Sequence, residues 1–159
     1  MKLRNQKKLT LASIIGLGYW FFGNMYEAIV ISPNWIVDSQ TQMKRLHEFF
    51  VNTTPTLYFV PVTQIATLLV WYLFFANKTK TVIPDYKKAA FFSVLVTLVN
   101  IYIVSTIVLK LFGADYEKYG EYLSTLTWRW NVLNVLRMIL VAIVVHYLFS
   151  VYRKLDKIE

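Results

Sequence analysis

Ionisable and amide side chains lie inside otherwise apolar segments of this chain, and they are the side chains with which it could do chemistry. Asn24 precedes Glu27 by three residues, so the two are neighbours on the surface of a helix. Further along, Asn131, Asn134 and Arg137 follow one another at intervals of three, which spreads them over an arc of about 120°. A charge inside a membrane is costly unless it is paired or hydrated. We therefore predict an ion pair between Glu27 and Arg137.

Other polar side chains lie at a similar depth in the remaining apolar segments. Gln64 belongs to the second segment and Asn100 to the third, while Trp130 begins the fourth. Together these residues predict a polar intramembrane pocket that faces outward and binds a hydrophobic small molecule. The predicted ligand-binding residues are Asn24, Glu27, Gln64, Asn100, Trp130, Asn131, Asn134 and Arg137. The inner half of the segments is almost purely Val, Ile, Leu and Phe, so we expect that half of the bundle to be dry.

The two histidines differ in their expected surroundings. His47 is the only side chain near the predicted pocket that titrates near neutral pH, and we expect it to hang over the pocket mouth. His146 lies toward the opposite face of the membrane. Two histidines at opposite membrane faces cannot share one metal ion, so we predict no metal site and no cofactor.

The elements that must position these side chains follow from the composition. Hydrophobic residues make up 57% of the 159 residues and charged residues 16%, which is too apolar for a water-soluble domain. Four apolar segments, 9–31, 56–76, 89–112 and 130–152, each reach the roughly 20 residues that a helix needs to cross a bilayer. The sequence predicts an all-α integral membrane protein with one four-helix bundle over residues 1–159. The absence of cysteine excludes disulfides, thiol catalysis and cysteine-held clusters.

A short amphipathic helix is predicted in the loop between the first two segments, which we expect to be external. Ser39 and Gln42 have the spacing of a capping box, and Met43, Leu46 and Phe50 then recur on one face. This helix should lie on the outer mouth of the bundle.

Small residues indicate where two of the long helices come close. Gly16 and Gly23 lie on the same stripe of the first segment as Glu27. Because glycine has no side chain, we expect a neighbouring helix to approach the first segment closely along this stripe.

Basic residues are concentrated on one side of the predicted topology. The N-terminal segment, the loop between the second and third apolar segments, and the C-terminal segment carry eleven lysines and arginines, and the other two loops carry far fewer. Because basic residues favour the cytoplasmic side, we expect both termini and the middle loop there, in a bacterial inner membrane. These flanking positions also explain the net charge of +8 without a nucleic-acid partner.

The sequence resembles the anthrone-oxygenase-like family of small four-helix membrane proteins, a domain of unknown function. The resemblance rests on three motifs: Gly23-Asn24-x-Tyr26-Glu27 with Pro33, Phe49-Phe50 before the second segment, and Trp130-Asn131-x2-Asn134-x2-Arg137 in the fourth. It covers most of the chain. Some members of the family oxidise polycyclic anthrones with molecular oxygen, without a metal or a flavin.

This resemblance implies roles for four of the predicted site residues. His47 would be the base that forms a phenolate or enolate from the substrate, and Arg137 would stabilise the resulting anion. Asn131 and Asn134 would orient the substrate. The resemblance implies no cofactor.

Three classes of function remain open from the residues alone. The first is an enzyme acting on a hydrophobic small molecule, and the second is a binding or assembly protein whose polar groups hold a lipid or a partner helix. The third, transport, is disfavoured because the chain lacks the inverted repeats and broken helices of secondary carriers. The expected partners are membrane lipids, a hydrophobic small molecule, and a second copy or another membrane protein, with no nucleic acid.

Cysteine labelling tests the predicted orientation, because the chain has no native cysteine. Thr81→Cys in the middle loop should react with a membrane-impermeant maleimide only after the cells are permeabilised. Thr53→Cys in the first loop is the matched control and should react in intact cells. Labelling of Thr81→Cys in intact cells would overturn the orientation.

Overall fold

The structure, a computed structural model, describes residues 1–158, and these residues form five helices with no strand among them. The helices are α1 (Leu3–Ile36), α2 (Ser39–Phe49), α3 (Pro55–Ala76), α4 (Ile83–Leu111) and α5 (Tyr122–Asp156). A short 3₁₀ segment, Tyr116–Tyr119, lies between α4 and α5. The prediction of an all-α chain is confirmed.

Four of the five helices, α1, α3, α4 and α5, are long and apolar enough to cross a membrane, which confirms the predicted number. Two of them extend well beyond the predicted apolar segments. α5 spans Tyr122–Asp156 rather than 130–152, and α1 spans Leu3–Ile36 rather than 9–31. A helix continues past an apolar segment because its backbone hydrogen bonds do not depend on the polarity of the side chains.

The four long helices form a ring in which each contacts its two neighbours, in the order α1, α3, α4, α5. Both chain ends and the loop 77–82 meet at one end of the ring, which we call the terminal end. There Lys7 Nζ lies 2.5 Å from Asp156 Oδ1, and Gln6 Nε2 donates to Asn77 Oδ1 at 2.7 Å. The opposite end carries α2 and the 3₁₀ segment, and we call it the α2 end.

Large apolar side chains lie both inside the ring and on its outer surface. Leu73, Val141 and Leu148 are fully buried in a layer of aliphatic side chains at the middle of the bundle and toward its terminal end. On the outer surface, Phe75 is 81% exposed and Ile29 is 68% exposed. So much exposed apolar surface is typical of a protein that contacts lipid.

The terminal end also buries polar side chains, so the prediction of a dry inner half is wrong there. Gln6 and Thr10 are both buried. The hydroxyls of Thr10 and Tyr86 lie 2.6 Å apart and join α1 to α4, while Gln6 joins α1 to Asn77. Most of these residues lie outside the predicted apolar segments, on helical turns that the apolar pattern does not reveal.

α2 lies across the α2 end with its apolar face inward. Met43 is fully buried against side chains of α4 and α5. The helix begins after Asp38, which has a φ of 51°, and Ser39 Oγ donates to Ile36 O at 3.1 Å. The predicted capping box of Ser39 and Gln42 is therefore wrong, because Ser39 is already inside α2 and its hydroxyl is bonded to the last turn of α1.

Two glycines of α1 allow α3 to approach closely, as predicted. A Cβ atom at Gly16 would lie 3.0 Å from Ala66 Cβ, and a Cβ atom at Gly23 would overlap the ring of Phe59. A Cβ atom at Gly18, by contrast, would meet nothing within 4 Å.

Gly23→Ala should lower the free energy of unfolding by about 1–3 kcal/mol, because the added methyl group displaces the Phe59 ring from a packed position. Gly18→Ala is the matched control, since it adds the same group to the same helix in open space. It should leave stability unchanged or raise it by up to about 1 kcal/mol. Thermal unfolding in detergent compares the two. Equal transition temperatures would show that the close approach of α1 and α3 does not stabilise the bundle.

Candidate functional site

Arg137 lies inside the bundle, in the half nearer the α2 end, and is 7% exposed. Its guanidinium is held by the amide oxygens of three asparagines. Nη1 donates to Asn100, and Nη2 donates to Asn24 Oδ1 at 2.8 Å and to Asn134 Oδ1 at 2.5 Å. The guanidinium carbon also lies 4.6 Å from the ring centroid of Trp20, in a cation–π contact. We call these five residues the arginine cage.

The amides of the cage come from three different helices, because Asn24 is on α1, Asn100 on α4 and Asn134 on α5. Asn134 precedes Arg137 by one helical turn, so the two share a face. Asn24 Nδ2 donates to Trp20 O at 3.1 Å, and Asn134 Nδ2 donates to Asn24 O at 3.4 Å. These two amide groups therefore donate to backbone carbonyls and direct their oxygens at the guanidinium.

The cage does not satisfy every donor of Arg137. Its Nε is buried and has no hydrogen-bond partner within residues 1–158. A guanidinium carries five N–H donors, and the three amides use three of them. A buried donor without a partner costs about 1–3 kcal/mol. The cage therefore leaves part of the hydrogen-bonding capacity of the guanidinium unused.

Glu27 does not form the predicted ion pair with Arg137. Across the described residues its carboxyl makes neither an ion pair nor a hydrogen bond. The two residues attract each other electrostatically without direct contact, because neutral amides occupy Nη1 and Nη2, and Asn24, one turn earlier on α1, takes the position facing Arg137. Glu27 and Arg137 instead line the same cavity.

This cavity, of about 50 Å³, lies beside the arginine cage. Its polar wall is formed by Asn24, Glu27, Asn100 and Arg137, and its aromatic wall by Trp20, Phe59 and Trp130. One water molecule needs about 10–15 Å³ of such space, so the cavity accepts a few waters or one small polar group. It is far smaller than the roughly 300–1,000 Å³ of a pocket for a complete drug-sized ligand.

Two π-helical segments border the cavity, one in α1 (Glu27–Ile31) and one in α4 (Val104–Val108). Glu27 is the first residue of one segment, and both end residues of the other line the cavity. A π-helical turn widens the helix and is frequently found at functional sites. Both segments place an irregular turn where the packing between the helices leaves a gap.

The structure brings together five of the eight predicted ligand-binding residues. Those that line the cavity are Asn24, Glu27, Asn100, Trp130 and Arg137. Asn134 is fully buried in the cage and does not reach the cavity. Asn131 does not line the cavity either, and its buried Oδ1 has no hydrogen-bond partner in the part of the chain described. Gln64 is half-buried and lies one helical turn beyond the residues of α3 that line the cavity.

His47 lies outside the cavity, at the end of α4. Its Nε2 is 3.0 Å from Leu111 O, and its ring stacks on Tyr116 with the centroids 4.0 Å apart. A nitrogen that bonds a carbonyl must donate, so Nε2 carries the proton. The resemblance implied that His47 and Arg137 act on one substrate. The structure does not bring these two residues into one site. His47 instead ties α2 to the last turn of α4.

Apart from Trp130, sequence reasoning missed the apolar walls of the cavity. Trp20 had a signal, because it precedes Asn24 by four residues and so shares its face of α1. Phe59 and Val104 had none. Whether they face a gap depends on how α3 and α4 are spaced, which no pattern within a single helix encodes.

Asn134→Ala should lower the free energy of unfolding by about 1.5–3 kcal/mol, because it removes a hydrogen bond to a buried charged group. Asn131→Ala is the matched control on the same helix, since the Oδ1 of Asn131 has no partner within residues 1–158. It should be far less destabilising. Denaturant titration in detergent measures both variants. An equal loss of stability in the two would mean that the cage does not hold the helices together.

Comparisons with models of protein families, with curated proteins and with solved structures found no match to this chain. What the protein does is therefore argued from the arginine cage and the cavity beside it.

Proposed function

We propose that this protein binds the oxygen-bearing head of a hydrophobic molecule, with Arg137 as the group that holds the head. One observation carries the proposal: a buried guanidinium, fixed by neutral amides, has an unpaired N–H and borders a cavity. A charge-assisted hydrogen bond from this group to an oxygen of the ligand would be about twice as strong as a neutral one.

The size of the cavity indicates how such a molecule would be bound. At about 50 Å³ the cavity accepts only the polar head. The remaining wall consists of apolar side chains of α3 and α4, among them Val60, Val104 and Val108. The apolar part of the ligand would extend along this wall toward the lipid. Entry from the bilayer fits a ligand that is poorly soluble in water.

The position of Glu27 favours a second candidate, a cofactor-independent oxygenase-like enzyme. Its carboxylate would accept a proton from an acidic C–H or O–H of the bound head, which leaves an enolate or phenolate oxygen on Arg137. Dioxygen would be the oxidant of that anion, so that an anthrone and one O2 give the quinone and one water. In this proposal Glu27 takes the role of base that the resemblance assigns to His47, because Glu27 borders the same cavity as Arg137.

The alternative is a non-enzymatic assembly role, in which the polar groups hold helices or a partner helix. It is supported by the three amides that already bind Arg137 from three helices. The concentration of basic residues at the terminal end supports an orientation in which that end is cytoplasmic and the cavity lies in the outer half of a bacterial inner membrane.

Ligand titration tests the binding proposal. Oleate, a naphthol, a quinol and an anthrone are titrated into the purified protein in detergent, and the fluorescence of Trp20 and Trp130 in the cavity wall is followed. At least one of these ligands should bind. Arg137→Gln should weaken its binding about tenfold or more, because the charge-assisted hydrogen bond is lost.

Arg129→Gln is the matched control on α5. Arg129 is exposed and stacks on Tyr122 outside the cavity, so its loss should leave binding unchanged. If Arg137→Gln fails to fold, Val104→Phe fills the cavity from α4 without replacing a residue of the cage and should also abolish binding. Binding that survives both changes, or no binding by any ligand of the panel, would contradict the proposal.

Oxygen uptake separates the enzyme from the binding protein. With a bound anthrone or quinol, Glu27→Gln should abolish oxygen uptake, because an amide cannot accept the proton. The affinity for the ligand should stay within about threefold of the native value, because glutamine has the same shape as glutamate. An unchanged rate would eliminate Glu27 as the base.

A further inference from the structure

A second apolar feature lies on the outer surface of the bundle, between α3 and α4 and nearer the terminal end. It is a groove of about 430 Å³, within the size range of ligand sites. Its side chains include Trp71, Phe74 and Phe75 of α3, and Lys87, Phe91 and Val94 of α4. The cavity beside the arginine cage shares none of these residues.

The aromatic walls of the groove are exposed, and one of them is hydrogen-bonded across the two helices. Phe75 is 81% exposed and Phe91 is 59% exposed. Trp71 Nε1 donates to Ser93 Oγ at 2.7 Å, which joins α3 to α4 beside the groove. Because both helices are long and apolar enough to cross a membrane, the exposed aromatic surface between them faces acyl chains.

One end of the groove is positively charged. Lys87 is its only charged residue and makes no ion pair with another described residue. The nearby carboxylate of Asp85 is already bound by Lys154 Nζ at 2.7 Å and by the hydroxyl of Ser150 at 2.7 Å. Lys87 and Val94 are seven residues apart, so the groove extends about 10 Å along the axis of α4.

The charge around Lys87 indicates the kind of molecule that would fill the groove. Residues 1–8, 77–88 and 153–159 together carry eleven lysines and arginines against three acidic residues, which equals the whole net charge of +8. A second copy of this chain would bring the same excess of positive charge to the interface and be repelled. A lipid with a negative headgroup would be attracted, by about 1 kcal/mol per basic residue near the surface.

We infer that the groove between α3 and α4 binds an anionic phospholipid, with one acyl chain against Trp71 and Phe91 and the phosphate at Lys87. This inference does not depend on the proposed function. The lipid belongs to the leaflet that contains the terminal end.

Quenching of tryptophan fluorescence tests the inference. The purified protein in detergent is titrated with phosphatidylglycerol whose acyl chains are brominated, and with the matched phosphatidylcholine. Trp71 is the tryptophan in the groove, so Trp71→Phe should remove most of the saturable quenching. The native chain should bind phosphatidylglycerol about fivefold more tightly than phosphatidylcholine.

Lys87→Gln should abolish the preference for phosphatidylglycerol. Lys80→Gln is the matched control, because Lys80 is an exposed lysine of the same end outside the groove, and it should keep the preference. Val94→Phe should weaken the binding of both lipids, because it fills the groove without adding a second tryptophan to it. Equal affinity for the two lipids in the native chain, an equal effect of the two lysine variants, or quenching that survives Trp71→Phe would overturn the inference.

Discussion

The buried charge of Arg137 is the constraint on which the polar half of this structure depends. A charged side chain in an apolar bundle is costly unless polar groups replace the water that it loses. Here an amide from each of α1, α4 and α5 binds the guanidinium, and the ring of Trp20 covers one face of it. Since these amides belong to three helices, solvation of one charge also fixes the relative positions of those helices.

The amides of the cage solvate Arg137 without neutralising its charge. The positive charge therefore remains beside the neighbouring cavity. An ion pair with Glu27 would have cancelled the charge and used the donors. In the structure Glu27 and Arg137, whose Nε has no partner in the described chain, instead border a small cavity beside two π-helical segments. A positive donor and an acidic group beside one small cavity support the proposal that the site binds a polar molecule.

The bundle consists of three layers rather than two halves. The arginine cage occupies the part nearer the α2 end, aliphatic side chains fill the middle, and a second set of buried polar groups, including Gln6, Thr10 and Tyr86, lies at the terminal end. The apolar pattern revealed the first two layers. It missed the third, because these polar residues lie on helical turns at the edges of the apolar segments, where polar side chains are ordinarily exposed.

The sequence by itself determined the four membrane-length helices, the close approach at Gly16 and Gly23, and five of the residues that line the cavity. These features follow from hydropathy and from the spacing of residues along one helix, which are local properties. The tertiary structure alone decided that Arg137 binds three amides instead of Glu27, that His47 bonds Leu111 O, and that Phe59 and Val104 enclose a gap. Each of these contacts joins different helices, so it depends on how the helices rotate and cross, and a few ångströms of displacement select one partner over another.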